Sequence, residues 1–450
     1  MEPVTAPATE SIDPWPPHRQ ANYALGVMVV AFAFSFLDRV ILSMLMLPIQ
    51  QELNFTDVQL ALLHGFAFAV FYALAGLPLG KLADTISRKH LIAFGISIWS
   101  LCTAACGLAR GFGSLFLARV GVGIGEAALS PSAFSILSDY FPPERRGRAI
   151  ATYQLGVTGG AGLAYILGGL VIAFAQSGNA INVFGFGELS AWRVTFMLVG
   201  LPGLLVALFA LTIKEPRRRE VAVSSPAGNE ALAGWLRQNW RAMTFYSLGF
   251  ASINVAFNAL IAWGPAWLTR VHELEPAQIG FLLGAVMLFA GGTGQLLGAR
   301  RSDKLFARGR RTAVVDTGLL CALALIPLSI GMIVPVLGFA VVLVGGMLFA
   351  ACAAIGHAPS LIGQIAPNGL RGQVSAIFLF ALNVIGTGVG PFAVAMLTDH
   401  VFADPKMVGI SMTITALTGA VVGAILLWAG SGAVRQSAER LAVAVEGEIR

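Results

Sequence analysis

The sequence predicts an all-α polytopic membrane protein, with twelve transmembrane helices in two pseudo-symmetric six-helix halves. Three observations carry that reading. Of the residues, 56% are hydrophobic and 12% charged, with a mean hydropathy of +0.77. A soluble protein needs roughly a quarter charged residues to cover its surface. Apolar runs of about 20 residues, long enough to span a bilayer core, recur along the whole chain. Basic residues crowd into alternate connections and leave the others nearly bare. The segments of about ten alternating residues that a membrane β-barrel requires are absent.

Taken in order, residues 1–21 carry Pro3, Pro7, Pro14, Pro16 and Pro17 and read as a disordered cytoplasmic tail, without a cleavable signal peptide. The N-terminal bundle, 22–213, holds expected spans at 22–49, 57–80, 90–109, 113–139, 147–176 and 190–213. A polar connection, 214–241, reads as a cytoplasmic linker, part of it (Ala231 to Arg241) able to lie on the membrane surface. The C-terminal bundle, 242–429, holds spans at 242–269, 276–299, 312–334, 336–365, 371–398 and 407–429, followed by a cytoplasmic tail, 430–450. Spans above about 25 residues imply tilt or extension past the lipid.

The connections after even-numbered spans hold Lys81, Arg88, Lys89, Arg145, Arg146 and the cluster Arg300 to Arg311. About 23 of the 29 basic residues fall on one side, which is cytoplasmic by the positive-inside rule. Both termini are then cytoplasmic, in a cell or inner membrane. The net charge of +6 is therefore a topology signal and implies no nucleic acid partner. The four cysteines lie in apolar runs and read as core thiols.

An internal repeat supports the two halves. Pro142, Arg146 and Gly147 recur as Pro367, Arg371 and Gly372, 225 residues on, each set followed by a Gly-rich helix. Two parallel six-helix repeats are the build of alternating-access carriers.

Inside the fourth span, FLARVGVGIGEA places Arg119 and Glu126 in hydrocarbon, where an ion is costly and marks a functional site. Seven residues is close to two turns, so both share one face about 10 Å apart. Gly121, Gly123 and Gly125 between them allow close helix packing. Asp38 and Arg39 form a second charged pair, about 100° apart on the first helix. Asp38 is expected to join Arg119 and Glu126, while Arg39 faces the cavity or the cytoplasmic side. The alternative for each is a structural ion pair. Burial raises a carboxyl pKa and a nearby Arg lowers it, so Glu126 can load and release a proton as its hydration changes. The second half offers Asn254, Asn258, His357 and Asn383 as polar groups. They suit a cavity wall for an amphiphile, with interhelical hydrogen bonds as the alternative. Trp263-Gly264-Pro265 reads as a helix kink. No Walker loop, metal-spaced Cys/His set or nucleophile turn appears, so an enzyme is not expected.

GKLADTISRK, Gly80 to Lys89, resembles the loop that marks the major facilitator superfamily between its second and third helices. Ser87 stands where that family usually has Gly. GARRSDKLFARGRR, with Asp303, repeats the loop in the second half with an extra residue. The resemblance implies a cytoplasmic gate built from Gly80, Asp84, Arg88, Lys89 and Asp303. Gly80 is expected to permit tight packing there, and Arg88 and Lys89 to face the cytoplasm. LDRVILS, LARVGVGIGEA and Lys214-Glu215-Pro216 together resemble the Spinster branch. That implies a proton-driven, monomeric carrier of lysolipid-like amphiphilic anions, with no cofactor beyond the proton gradient. Its coupling groups would be Glu126, Asp38 and Arg119. Its substrate would meet Arg39, Arg119, Asn254, Asn258, His357 and Asn383, with protons and membrane lipids as the remaining partners. A carrier of a small organic acid or drug, and a non-transporting receptor, are the alternatives.

Overall fold

The structure is a computed structural model that describes residues 15–176, 181–183, 187–218, 229–367 and 370–449. Among the described residues, twelve helices are long and apolar enough to cross a membrane. In chain order they are α1 (His18–Leu53), α2 (Asp57–Gly76), α3 (Arg88–Cys106), α4 (Phe112–Tyr140), α5 (Arg145–Phe174) and α6 (Ala191–Thr212). The second half holds α7 (Ala231–His272), α8 (Pro276–Ala307), α9 (Ala313–Ile333), α10 (Leu337–Ile365), α11 (Arg371–Phe402) and α12 (Pro405–Val443). The helix of α2 runs on to Thr85. A short antiparallel hairpin, β1 (Ile181–Val183) with β2 (Gly187–Leu189), joins α5 to α6. An even number of spans brings both termini to one side.

The α1–α2 turn shows how the sequence sets these ends. Asn54 closes α1 in the left-handed region at φ 54°, which Asn tolerates. Thr56 and Gln59 then form a reciprocal capping box, with bonds of 3.2 and 3.0 Å. Asp57 is thereby placed in the first turn of α2, on the side opposite the termini.

Several helices outrun their expected ends. The helix of α12 continues to Ile449, through the stretch read as a tail. Good helix formers and no proline follow Gly432, and Ser437 Oγ donates to Asn239 Oδ1 at 2.8 Å, docking this extension on α7. The helix of α7 begins at Asn229, taking up the end of the expected linker; residues 219–228 lie outside the described residues. Helix α1 begins at His18 rather than residue 22. Pro265, where a kink is expected, lies inside the unbroken helix of α7, and the residue with non-helical backbone there is Asn239 (φ −115°, ψ 16°). Pro265 cannot bond the Ile261 carbonyl. Tyr165 of α5 supplies the missing donor, its hydroxyl bonding that oxygen at 2.8 Å.

The repeat is legible in the backbone. Arg146 Nη2 donates to Ser138 O at 3.1 Å and Arg371 Nη2 to Gly363 O at 2.9 Å, donors and acceptors each 225 residues apart. A π-helical turn at Leu62–Phe66 in α2 recurs with the same separation at Met287–Gly291 in α8.

Among the described residues, the halves meet between α1 and α7, and their backbones approach closely along two further seams. Between α5 and α8, a Cβ on Gly280 would lie 2.4 Å from Tyr165 O, so the backbones touch. Between α2 and α11, a Cβ on Gly65 would lie 2.6 Å from Thr387 O. On the side opposite the termini, Arg270 of α7 holds Asp57 of α2 through two bonds, 2.6 and 2.8 Å, and Gln50 of α1 at 2.9 Å. Val58 N donates to Asp399 Oδ2 of α11 at 3.0 Å. Among the described residues, every ion pair between the halves lies on that side, which is therefore latched shut.

Candidate functional site

Four helices of the first half converge on one polar cluster within the hydrophobic span. Ser35, Asp38 and Arg39 come from α1, His64, Phe68 and Tyr72 from α2 and its continuation, Thr103 from α3, and Arg119 and Glu126 from α4. Successive spans run antiparallel, so Glu126 lies level with Ser35, and Arg119 lies about two turns further from the termini.

The pairing differs from the expected one. Glu126 takes Arg39, whose Nε donates to Oε2 at 2.7 Å, and Ser35 Oγ donates to the same oxygen at 2.6 Å. Ser35 and Arg39 are one turn apart and share a face of α1. Asp38, about 100° away, turns instead to α3 and accepts from Thr103 Oγ1 at 3.2 Å. Arg119 is fully buried and bonds two backbone carbonyls, Asp38 O at 3.3 Å and Leu63 O at 3.4 Å. Among the described residues, it makes no ion pair. The four charges still sum to zero within one cluster, which is how burial in hydrocarbon is tolerated.

Arg39 is the member that meets open space: its side chain is 18% exposed, that of Glu126 is 0%. Its guanidinium carbon lies 4.7, 4.4 and 4.9 Å from the ring centres of Phe36, Phe68 and Tyr72. Cation–π contact with three faces holds the charge without a second carboxylate. The glycines of α4 permit the approach: a Cβ on Gly125 would lie 2.8 Å from Gly95 O of α3.

The polar groups of the second half stand apart from this cluster. Asn254 Nδ2 donates to Leu382 O of α11 at 2.9 Å, and Asn258 Nδ2 donates to Asn254 Oδ1 at 2.9 Å. Asn383 Nδ2 bonds its own helix, at Leu379 O. His357 is buried, with Nδ1 2.6 Å from Ala353 O and Nε2 3.4 Å from Val314 O. Among the described residues, no hydrogen bond joins any of these four to the first-half cluster.

At the termini side, Arg88 is not the cytoplasm-facing residue expected. It is fully buried, bonded to Asp139, to Ser135 Oγ at 2.8 Å, to Glu215 Oε1 at 2.8 Å and to Pro216 O at 2.9 Å. A guanidinium at the start of α3 has five donors to place, and the ends of α4 and α6 supply the acceptors. Lys89 Nζ reaches Leu211 O at 3.2 Å. Gly80 has open space where a Cβ would stand, contrary to the tight packing expected. Asp303 is exposed, and the side chain of Asp84 lies outside the described residues.

Glu215 gives a testable pH dependence. Burial pushes its carboxyl up, but hydrogen bonds from Arg88, the Lys89 N–H and Ser87 outweigh that and hold it below the ordinary value of 4.5. A carboxyl depressed in the folded state stabilises at neutral pH and loses that contribution as pH falls through its folded value. Glu215→Gln is therefore expected to unfold at lower temperature at neutral pH, and to lose less than wild type on acidification below about pH 4.5. Thermal unfolding in detergent at several pH values checks this; parallel curves for the two chains would contradict it.

Sequence reasoning missed His64, Ser35, Thr103 and the Arg270–Asp57 latch. His64 carried the signal already used for Arg119, an ionisable residue inside an apolar run. Asp57 stood inside the readable capping box. Thr103 carried no sequence signal.

The family described as Major Facilitator Superfamily matches residues 28–391. Over 427 residues the chain is 28% identical to an MFS-type efflux pump of Mycolicibacterium smegmatis, covering 93% of this chain and 94% of that protein. Over 322 residues it is 26% identical to the probable L-galactonate transporter of Escherichia coli, covering 67% of each. Among solved structures, it resembles a bacterial homolog of the human lysosomal transporter Spinster, in an inward-facing and unoccupied conformation. The TM-score is 0.74, with 27% identity over 94% of this chain and 98% of that one.

Proposed function

The chain belongs to the Major Facilitator Superfamily, on its Spinster branch, and from that premise we propose that it is a proton-coupled, alternating-access carrier of an anionic amphiphile such as a lysolipid. It is a multi-pass membrane transporter of a small substrate, not an enzyme. The observation that supports proton coupling is the Arg39–Glu126 pair, one partner dry and the other partly open.

Arg39 can serve only one carboxylate or head group well at a time. An anionic head group that takes Arg39 leaves Glu126 as a buried carboxylate held by Ser35 alone. Protonation removes that cost, so head-group binding and proton uptake favour each other. Asp38 and Arg119 complete the electroneutral set, and the apolar walls of the bundle would take the tail. In this reading the termini side, where the basic residues crowd, faces the cytoplasm of a cell or inner membrane, which the positive-inside rule supports. The latched side then faces outward in this reading. In this reading, the Arg88 contacts and the Gly80–Lys89 and Asp303 loops belong to the cytoplasmic gate.

A second reading has support of its own: one relative is named for an acid sugar, L-galactonate. Arg39 and Arg119 would then bind a small carboxylate. Purified chain in proteoliposomes under an imposed pH gradient separates the two, with a labelled lysophospholipid and a labelled sugar acid as probes. Gradient-dependent lysolipid movement is expected. Movement of the acid alone transfers the site to the second reading, and binding without movement of either makes the protein a receptor.

A further inference from the structure

We propose that His64 is a further positioning residue of the transport cycle, a proton site that is filled when the α2–α11 seam opens. The proposal rests on the proton-coupled reading above. Three consecutive residues of one π-helical turn carry it. Leu63 offers its carbonyl to Arg119 Nε at 3.4 Å. His64 is 5% exposed and has no hydrogen-bond partner at either ring nitrogen among the described residues. Gly65 lies against α11, where a Cβ would meet Thr387 O at 2.6 Å and Gly388 O at 3.2 Å. One turn of α2 thus touches the charged cluster on one side and the other half of the protein on the other. Single π-turns inside α-helices concentrate at functional positions.

The surroundings of His64 set the sign. Arg119 of α4 stands beside it, with Asp38 of α1 and the buried Cys106 thiol of α3 close to Arg119. From α11, the touching residues Thr387 and Gly388 bring no titratable group. A dry imidazole beside a guanidinium has little means of carrying a second positive charge. Separation of α11 from Gly65 admits water to the turn. Hydronium then passes its proton to a ring nitrogen, leaving water and an imidazolium; only N–H and O–H bonds change. The new charge repels Arg119, whose hold on Leu63 and Asp38 loosens. Opening of the halves is in this way reported to the coupling cluster. Acid favours the open state by mass action, since the proton binds that state alone.

The test needs neither substrate nor gradient, so it stands apart from whether the right cargo has been found. Spin labels on cysteines placed at exposed Gln51 and Lys406, in a background with the four native cysteines replaced, report distances across the latched side. The open-to-closed ratio of the wild-type residue set is expected to rise as pH falls from about 6.5 to 5, by up to about tenfold per unit for one linked proton. His272, His400, Asp57 and Asp399 also stand near the latched side and are the same in the wild type and the variants. The readout is therefore the difference that His64→Gln makes. The slope should fall by the share of one proton in His64→Gln and in His64→Asn. Retention of the full slope in either folded His64 variant overturns the proposal, as does a wild-type ratio that ignores pH.

Discussion

Glu126→Gln is expected to abolish accumulation driven by a pH gradient while leaving exchange of substrate across the membrane. Each coupled proton sustains a concentration ratio of about tenfold per pH unit, because one unit is 1.36 kcal/mol. The variant should fall from that ratio to about one. Gln is the informative replacement for a geometric reason. Its amide oxygen can still accept from Ser35 Oγ and Arg39 Nε, which bond Glu126 at 2.6 and 2.7 Å. What it removes is the proton site. Arg39 keeps its three aromatic faces and its exposed edge, so the cation is not stranded. Steady-state accumulation in proteoliposomes, with counterflow exchange measured beside it, checks this. Wild-type accumulation in the variant removes Glu126 from coupling. Loss in Asp38→Asn with none in Glu126→Gln moves the proton to α1.

Arg270→Met is expected to release the latched side, and Asp57→Asn to do so more mildly. The pair is nearly dry, with side-chain exposures of 9% and 2%, and Gln50 completes it by bonding both partners. Removing one member of such a pair costs about 3–5 kcal/mol, because the other charge is left uncompensated. The contact joins α7 to α2, across the two halves, so the cost falls on the closed arrangement and not on the fold of either half. A shift of about 3 kcal/mol changes the open-to-closed ratio by more than a hundredfold. Distances between labels on Gln51 and Lys406 should lengthen in each single variant. The double reversal Asp57→Arg with Arg270→Asp should bring them back. Unchanged distances in Arg270→Met would mean that the α5–α8 and α2–α11 seams hold this side closed by themselves.

The two charged pairs show how far residues alone can be read. That Asp38, Arg39, Arg119 and Glu126 form a site followed from the cost of charge in hydrocarbon, which depends on composition and position in a span. Which cation meets which carboxylate did not follow. Residues 38 and 39 point about 100° apart, so a modest rotation of α1 decides between the two pairings. That rotation is set by packing, with Gly160 of α5 pressed on Ala33 and Thr103 of α3 waiting for Asp38. Arg88 followed the same course. Its motif was recognisable and its direction was not, because Asp139 and Glu215 lie 51 and 127 residues away in the chain.

The sequence by itself determined the membrane class, the twelve spans, the two-half repeat and the candidate charges. Each of these rests on local transfer cost or on a pattern repeated along one chain. Tertiary structure alone decided the Arg39–Glu126 pairing, the bond of Tyr165 to the Ile261 carbonyl freed by Pro265 and the place of the Leu63–Gly65 turn between Arg119 and α11. It also decided that the latched side is the one opposite the termini. Those features depend on contacts between helices far apart in the chain, whose rotation and height are set only when backbones meet at glycines and buried polar atoms find partners.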